Sequence, residues 1–219
     1  MKNFIGMGLF LFSVSMAAGS AAAPLRLPVA AFSDTGLAGW ETREFKGRTR
    51  YRLVSLEGRR VLRADVRGTA SGLFRKIEID LERTPWLHWS WRVDNIYQGV
   101  DEQQKSGDDY PARIYVVDSG GLLFWNTRAL NYVWSSTMPA GRAWPSAFTS
   151  NAMLLAVESG SGHTGQWRHY RRNVREDFKR LFGADVNRIE AVALMTDADN
   201  AGQAATAYYG DIYFSATAD

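Results

Sequence analysis

Two short stretches of the chain are rich in acidic side chains that could bind a cation or take part in acid–base chemistry. They are "GDD" at the start of "GDDYPARIYVV" and "TDADN" within residues 195–203, and they supply Asp108, Asp109, Asp197, Asp199 and Asn200. The D-x-D spacing is similar to half of a calcium loop, but Ala201 and Tyr208 stand where an EF-hand needs oxygen ligands. An EF-hand is therefore excluded. A simpler calcium site and a turn whose side chains bond their own backbone both stay open.

Arg113 follows the first acidic stretch within an apolar strand sequence. In "ARIYVV", two-residue alternation places Arg113 and Tyr115 on one face and Ile114 and Val116 on the other. A buried arginine is costly without a carboxylate partner. We therefore predict that the two acidic loops meet around Arg113 at one end of the fold, as a structural cluster held by Arg113 and backbone amides rather than by a metal. Because residues at strand ends often bind ligands, Arg113 and Tyr115 are also candidate ligand-binding residues.

The tryptophan-rich stretch "WLHWSWRVDN", residues 86–95, is the second candidate for ligand binding. As a strand it has one side that we assign to the core, because tryptophan is highly buried on average: Leu87, Trp89, Trp91 and Val93. The other side is mixed and could line a groove in which an aromatic ring stacks on the apolar face of a sugar. Its candidate ligand-binding residues are Trp86, His88, Arg92 and Asp94.

Motifs of several enzyme classes are absent from the sequence. There is no glycine-rich phosphate loop, no dinucleotide fingerprint and no nucleophile elbow. The three histidines lack metal-ligand spacing and the chain has no cysteine, so a zinc site is not expected. A Ser-His-Asp triad assembled from distant positions stays open. A net charge of +3 does not indicate nucleic-acid binding, and we interpret the basic run "RHYRRNVREDFKR" as a solvated helix face.

The elements that must position these residues are mostly short β-strands. Alternating or apolar segments follow one another, separated by turn-prone spacers, and no repeat or linker divides the chain. One helix is predicted over residues 174–182, because Asn173 can cap its start and Gly183 can end it. This pattern predicts an all-β fold, an antiparallel β-sandwich of jelly-roll type with one main helix. A closed barrel is the alternative.

The N-terminal residues are typical of an export signal. Lys2 precedes an uncharged apolar run over residues 4–16, and small residues follow as far as Ala22. The run is too short to span a bilayer, and no later segment resembles a transmembrane helix. We therefore predict a signal peptide over residues 1–22 and a single sandwich domain over residues 23–219, periplasmic or secreted. An uncleaved N-terminal anchor is the alternative.

A set of motifs spread along the chain carries a resemblance to a known family. The motifs are "WSWRVD", "GDDYPARIYVV", "LNYVWSS", "RNVREDFKRLFG" and "MTDADNAG" followed by "AYYGDIYF". Over residues 32–214 the chain resembles the bacterial family called domain of unknown function 3047. The resemblance implies an exported single domain and supplies no catalytic residue. The ends, "FSDTGLAGW" and "YYGDIYF", also look like those of secreted jelly rolls that bind glycans.

Three functional classes stay open. We favour a non-catalytic module that binds a carbohydrate or another polyhydroxylated ligand, without a cofactor unless calcium binds. The first alternative is a hydrolase or lyase acting on a polysaccharide, which would need two acids roughly 5 to 10 Å apart across a cleft. The acids available to it are Glu102, Asp108, Asp109, Asp197 and Asp199. The second alternative is a structural or partner-binding envelope protein, and the oligomeric state is left open.

Overall fold

A computed structural model describes residues 25–120 and 127–218. The predicted signal peptide, residues 1–22, and the predicted strand "GLLFW", residues 121–125, lie outside the described residues. Within the described residues, the strands and the helix have these bounds: β1 (Arg26–Ala30), β2 (Glu41–Lys46), β3 (Arg50–Leu56), β4 (Arg59–Arg67), β5 (Ala70–Asp80), β6 (Trp86–Val93), β7 (Ala112–Asp118), β8 (Arg128–Ser135), β9 (Ala143–Pro145), β10 (Ala152–Ser159), β11 (Arg168–Asn173), α1 (Val174–Phe182), β12 (Arg188–Met195), β13 (Ala204–Tyr209) and β14 (Ile212–Ser215).

The strands form two seven-stranded sheets. Sheet A has the order β1-β14-β6-β13-β4-β3, and β11 also pairs with β6; sheet B has the order β2-β5-β12-β7-β8-β10-β9. The predicted sandwich is confirmed. One pair in the described part of the chain departs from the antiparallel pattern: β8 and β10 are parallel. A parallel pair needs a long crossover, and here the connection includes β9, which pairs with the free side of β10.

The core lies between the two sheets because the strands alternate in-facing and out-facing side chains. The predicted core side of β6 is buried throughout, at no more than 3% exposure: Leu87, Trp89, Trp91 and Val93. From sheet B, Ile114 and Val116 of β7 belong to the same apolar cluster. Each sheet therefore keeps an outer face. The polar residues that alternate with these core residues lie on the two outer faces.

The helix has the bounds that the sequence predicts. Oδ1 of Asn173 accepts a hydrogen bond from the backbone N–H of Glu176 at 3.2 Å, and Gly183 ends the helix in the left-handed conformation, with φ 65°. Val174 and Phe178 are fully buried in the core cluster. The apolar face of α1 therefore packs against the sandwich. Within the described residues, no helix has both the length and the apolar character needed to cross a membrane.

The basic run "RHYRRNVREDFKR" is not a single helix face, and that interpretation was wrong. Its first six residues form β11, which pairs antiparallel with β6, so that His169 lies opposite Ser90 and Arg171 lies opposite His88. The helix begins only after its cap at Asn173, and the residues before the cap pair with a neighbouring strand instead. Basic side chains are thereby placed on sheet A.

Candidate functional site

Strand register brings four side chains together on the outer face of sheet B. Arg113 of β7 pairs with Met195 of β12, and Tyr115 of β7 pairs with Asn131 of β8. Residues directly opposite in a pair share a face, so these side chains lie on the side away from the core. They line a pocket of about 460 Å³, here called the Arg113 pocket. Its lining also includes Phe45, Asp108, Phe148, Asp197, Asp199 and Asn200.

Arg113 is held in place from several directions. It is only 6% exposed, although its strand turns it away from the core. Its Nη2 donates a hydrogen bond to the carboxylate of Asp197. The guanidinium carbon lies 5.1 Å from the ring centre of Tyr110 and 5.2 Å from that of Tyr115. A cation packed between two aromatic rings and tied to a buried acid has little freedom to move.

The two acidic loops meet, as the sequence analysis predicts. Asp109 accepts hydrogen bonds from the backbone N–H and the side-chain Nδ2 of Asn200, both at 3.0 Å, and from the N–H of Ala201 at 2.5 Å. Asp197 accepts one from the N–H of Tyr110 at 3.3 Å. Backbone amides and Arg113 thus contact these acids directly. The meeting of the two loops is thus present in the structure, whereas a cluster held without a metal stays a prediction.

The carboxylates outnumber the cation that faces them. Burial raises the pKa of Asp197 to about 8, because the charged form loses its hydration; Arg113 opposes this shift, and the nearby charges of Asp109 and Asp108 add to it. Burial likewise raises the pKa of Asp108. One guanidinium faces several acids, and burial favours the protonated forms of Asp197 and Asp108.

One set of carboxylates has the spacing of a cation site. One oxygen each of Asp109, Asp197 and Asp199 lies within 4.8 Å of the others. The oxygens of Asp109 already accept three N–H groups, and those of Asp197 accept Arg113 and a backbone amide. A calcium ion would have to displace these donors, since calcium takes six to eight oxygen ligands.

Three buried polar atoms of the Arg113 pocket have no hydrogen-bond partner among the described residues. They are Oδ1 of Asp108, Nε of Arg113 and Oδ1 of Asn131. Leaving a buried donor or acceptor unpaired costs about 1 to 3 kcal/mol each. The three atoms have almost no accessible surface, so a molecule in the pocket would contact them only after neighbouring side chains move.

The rim of the same pocket carries exposed aromatic rings. Phe45 is 63% exposed and Phe148 is 55% exposed, and both line the pocket. Exposing a large apolar side chain to water is unfavourable. Exposed apolar side chains that border a polar cavity are therefore typical of a binding site. The sequence analysis missed both rings, as well as Asn131. For Phe45 there is a signal in the sequence, an aromatic residue inside the charged strand "ETREFK".

The predicted ligand-binding residues of β6 do not lie in one groove. His88 and Ser90 line a groove of about 780 Å³ on the outer face of sheet A, here called the His88 groove, whereas Trp86, Arg92 and Asp94 are not among its lining residues. Arg92 instead donates to Glu57 at 2.9 Å and to Asp94 at 3.1 Å. Its guanidinium also lies 5.7 Å from the ring centre of Tyr208 on the adjacent β13. The structure therefore does not join these predicted residues into one groove.

His88 has partners of its own in this groove. Its ring stacks on that of Tyr213 with centroids 4.6 Å apart, and Nε2 lies 2.8 Å from Oγ of Ser215. Burial lowers the pKa of His88, because the imidazolium form loses hydration. Arg113 and Tyr115, predicted alongside His88 as ligand-binding residues, lie on the other sheet.

The carboxylate of Glu102 is buried and already hydrogen-bonded. It is 1% exposed, and its carboxylate accepts hydrogen bonds from Oγ of Ser135 and from the N–H of Ser136. It is not among the residues that line the Arg113 pocket. Its burial and multiple donors are typical of a structural carboxylate.

Comparison with known families gives one match over most of the chain. Residues 38–213 match the model of a family described as "Protein of unknown function (DUF3047)". No curated protein matches the chain.

Several solved structures are similar at low sequence identity. The Family 11 carbohydrate-binding module of the cellulase Lic26A-Cel5E of Clostridium thermocellum has a TM-score of 0.48 and 10% identity, covering 90% of this chain and 97% of its own. The xyloglucanase domain of NopAA from Sinorhizobium fredii has a TM-score of 0.45 and 10% identity, covering 80% and 92%. The CBM22-1 xylan-binding domain of Paenibacillus barcinonensis Xyn10C has a TM-score of 0.40 and 12% identity, covering 91% and 100%. At these scores the similarities carry no argument about function.

Proposed function

We propose that this chain, which belongs to the DUF3047 family, is a non-catalytic binding module whose Arg113 pocket holds a neutral carbohydrate. The observation that carries the proposal is the meeting of two features in one pocket. Three polar side chains with buried, unpartnered atoms line the same pocket as two exposed phenylalanine rings. A sugar is complementary to both features, because its hydroxyl groups donate and accept hydrogen bonds and its C–H face packs on aromatic rings.

The three unpartnered atoms match hydroxyl groups in particular. Oδ1 of Asp108 and Oδ1 of Asn131 can accept hydrogen bonds, whereas Nε of Arg113 can donate one. A hydroxyl group serves either role, so neighbouring hydroxyls of one sugar ring can satisfy acceptors and a donor together. Pairing all three would remove the penalty that the unliganded pocket carries.

The charge of the pocket favours a neutral ligand. Asp108, Asp197 and Asp199 line it together with Arg113, and Arg113 is already bonded to Asp197. An acidic sugar would bring another negative charge beside these carboxylates, and like charges at short distance repel one another. We therefore expect uronic acids and sulfated sugars to be excluded from this pocket.

The contacts of the acids favour binding over hydrolysis. A glycosidase needs one carboxylic acid and one carboxylate, both free to act on the substrate. Asp197 is bonded to Arg113 and to a backbone amide, and Asp109 is bonded to the opposite loop. Asp108 combines a raised pKa with a buried, unpartnered oxygen, and Asp199 also has a raised pKa in this pocket, so these two acids are the ones that an activity assay must test.

A glycan array tests the proposal. Wild-type protein should bind neutral glycans, and Phe148→Ala and Asn131→Ala should each weaken the affinity about tenfold or more, the equivalent of about 1.4 kcal/mol. The matched control is Leu25→Ala, which truncates another exposed apolar side chain outside the pocket lining. An array on which wild-type protein binds no neutral glycan, or on which both pocket variants bind as well as wild type, would refute the proposal.

An activity assay on the bound glycans separates the module from an enzyme. We expect no release of reducing ends or unsaturated products. If wild-type protein cleaves a bound glycan and Asp108→Asn or Asp199→Asn abolishes cleavage without loss of binding, the chain is a hydrolase or lyase.

We further propose export to the periplasm or the medium, from the charged start, apolar run and small residues at the N-terminus. The expected mature chain begins after Ala22. Mass spectrometry of the protein recovered from the cell envelope measures this directly, and a soluble protein that retains Lys2 would contradict it.

A further inference from the structure

The His88 groove lies on the opposite outer face from the proposed carbohydrate pocket. His88 and Ser90 of β6 line it beside His169 and Arg171 of β11, which are their partners in the strand pair. Gly210 closes it from another side, where its N–H donates to the carbonyl of Ser90 at 2.9 Å. The groove is therefore built on paired strands, whose geometry is fixed.

Three exposed arginines line this groove without a carboxylate partner among the described residues. Arg59, Arg60 and Arg171 form no ion pair in residues 25–120 and 127–218. Among the described residues, Arg60 donates to the backbone carbonyl of Asp34 and Arg171 to that of Ala218, both at 3.2 Å. These guanidinium groups keep donors available for an anion.

Neighbouring arginines on the same strand behave differently. Arg168 donates to Glu158 at 2.9 Å, and Arg172 donates to Asp177 at 2.8 Å. Alternation along β11 turns Arg171 to the other side from these two. Unbalanced positive charge is thus concentrated on the groove side of β11.

The groove has one acidic lining residue, and it is already engaged. Asp211 accepts hydrogen bonds from the backbone N–H of Ser33 at 3.0 Å and from the hydroxyl of Ser33. With three arginines and one aspartate among its lining residues, the groove is net positive even with both histidines neutral. Such a groove attracts anions.

Aromatic rings restrict the orientation of two guanidinium groups at the groove. The guanidinium of Arg59 lies 5.0 Å from the ring centre of Trp167, and that of Arg26 lies 4.9 Å from the ring centre of Tyr213. Stacking on a ring restricts a long side chain and leaves the edge of the guanidinium open for a carboxylate. Trp167 and Tyr213 also line the groove, and the ring of Tyr213 is already stacked by His88 and Arg26.

We propose that the His88 groove binds an acidic polysaccharide through its carboxylate groups, at a site independent of the Arg113 pocket. Arginine recognises carboxylates with two parallel hydrogen bonds, and a groove of about 780 Å³ has room for more than one sugar ring. A membrane surface is a poorer fit, because the large exposed apolar residues of the described chain, Leu25, Phe45 and Phe148, do not line this groove.

Isothermal titration calorimetry with polygalacturonate and its fully methyl-esterified form tests this assignment, since the two polymers differ in the carboxylate charge. Wild-type protein should bind polygalacturonate, lose affinity as salt is raised, and bind the ester more weakly. The double variant Arg59→Gln/Arg171→Gln should weaken binding about tenfold or more. The matched control Arg48→Gln/Arg188→Gln removes the same charge from exposed positions outside the groove and should bind like wild type.

Three results would overturn the assignment. They are no binding of polygalacturonate at low salt, equal loss in the groove and control variants, or tighter binding to phosphatidylglycerol vesicles than to polygalacturonate. Two variants distinguish failure of this proposal from failure of the proposed carbohydrate pocket. Phe148→Ala should leave polygalacturonate binding unchanged, and the groove double variant should leave neutral-glycan binding unchanged.

Discussion

The two outer faces of the sandwich use arginine in opposite ways. On sheet B, Arg113 is 6% exposed, bonded to Asp197 and stacked between tyrosines. On sheet A, Arg59 and Arg171 are exposed and have no acidic partner among the described residues. The difference shows that residue type alone does not decide a role. Burial and the nearest carboxylates decide whether an arginine holds the protein together or remains available to a ligand.

The same comparison separates how the two faces would select ligands. In the Arg113 pocket the guanidinium is bonded to Asp197, and Asn131 and Asp108 keep oxygen atoms without a hydrogen-bond partner among the described residues. The His88 groove has an excess of positive charge. Neutral sugars would therefore bind on one outer face of the module and acidic sugars on the other. Substitutions on each face test this difference.

The largest expected effect is the loss of stability in Arg113→Ala. Removing Arg113 takes the main partner from the buried carboxyl of Asp197 and leaves a cavity beside Tyr110 and Tyr115, so the free energy of unfolding should fall by about 3 to 5 kcal/mol. Arg171→Ala, on the other face, should change it by about 0.5 kcal/mol or less. Urea unfolding of the three proteins measures both values. If the two variants lose the same stability, the contrast between the faces is wrong.

The next effect concerns the backbone that closes the His88 groove. A Cβ at Gly210 would overlap Oγ of Ser90, so Gly210→Ala should cost about 1 to 3 kcal/mol. Gly162→Ala is the control, because a Cβ there meets no atom within 4 Å. Thermal melting should also show partial recovery in Gly210→Ala/Ser90→Ala. Equal melting temperatures of the two glycine variants would show that the groove accommodates a Cβ at Gly210.

Much of the fold follows from local sequence. The two-residue pattern of "WLHWSWRV" identifies β6 and its buried side, and the cap at Asn173 with Gly183 identifies α1, because both signals are contained in adjacent residues. The meeting of the two acidic loops, seen between Asp109 and Asn200, was also predicted, since both loops flank apolar strands and carry several acids.

The candidate sites depend on pairings that the local sequence does not contain. His169 and Arg171 enter the groove only because β11 adds to the edge of β6, and Arg92 leaves it because β13 brings Tyr208 alongside. Asn131 becomes a pocket residue through its register with Tyr115. These contacts join residues far apart in the chain, and a strand's own alternation gives its two faces but not its neighbours.

A pH-dependent effect should follow from Asp197. Its pKa of about 8 lies above the unfolded value near 3.9, so the folded protein holds a proton that the unfolded chain releases. This contribution to stability is present at low pH and is lost as the pH rises towards 8, with a slope of up to about 1.4 kcal/mol per pH unit. The difference in unfolding free energy between wild type and Asp197→Asn, measured from pH 5 to 8, should decline in that direction. A difference that rises with pH would show that Arg113 keeps Asp197 ionised.

The smallest expected effect is that of calcium on the melting temperature. Asp109, Asp197 and Asp199 have the spacing of a cation site, but amide groups and Arg113 already occupy oxygens of Asp109 and Asp197. An ion that binds only the folded state would raise the melting midpoint, and the rise would grow with the ratio of its concentration to its Kd. We expect the same midpoint with millimolar calcium and with a chelator, in wild type and in Asp199→Asn. A calcium-dependent rise in wild type that Asp199→Asn lacks would show a metal site, and both outer faces would then hold charged groups available to a ligand.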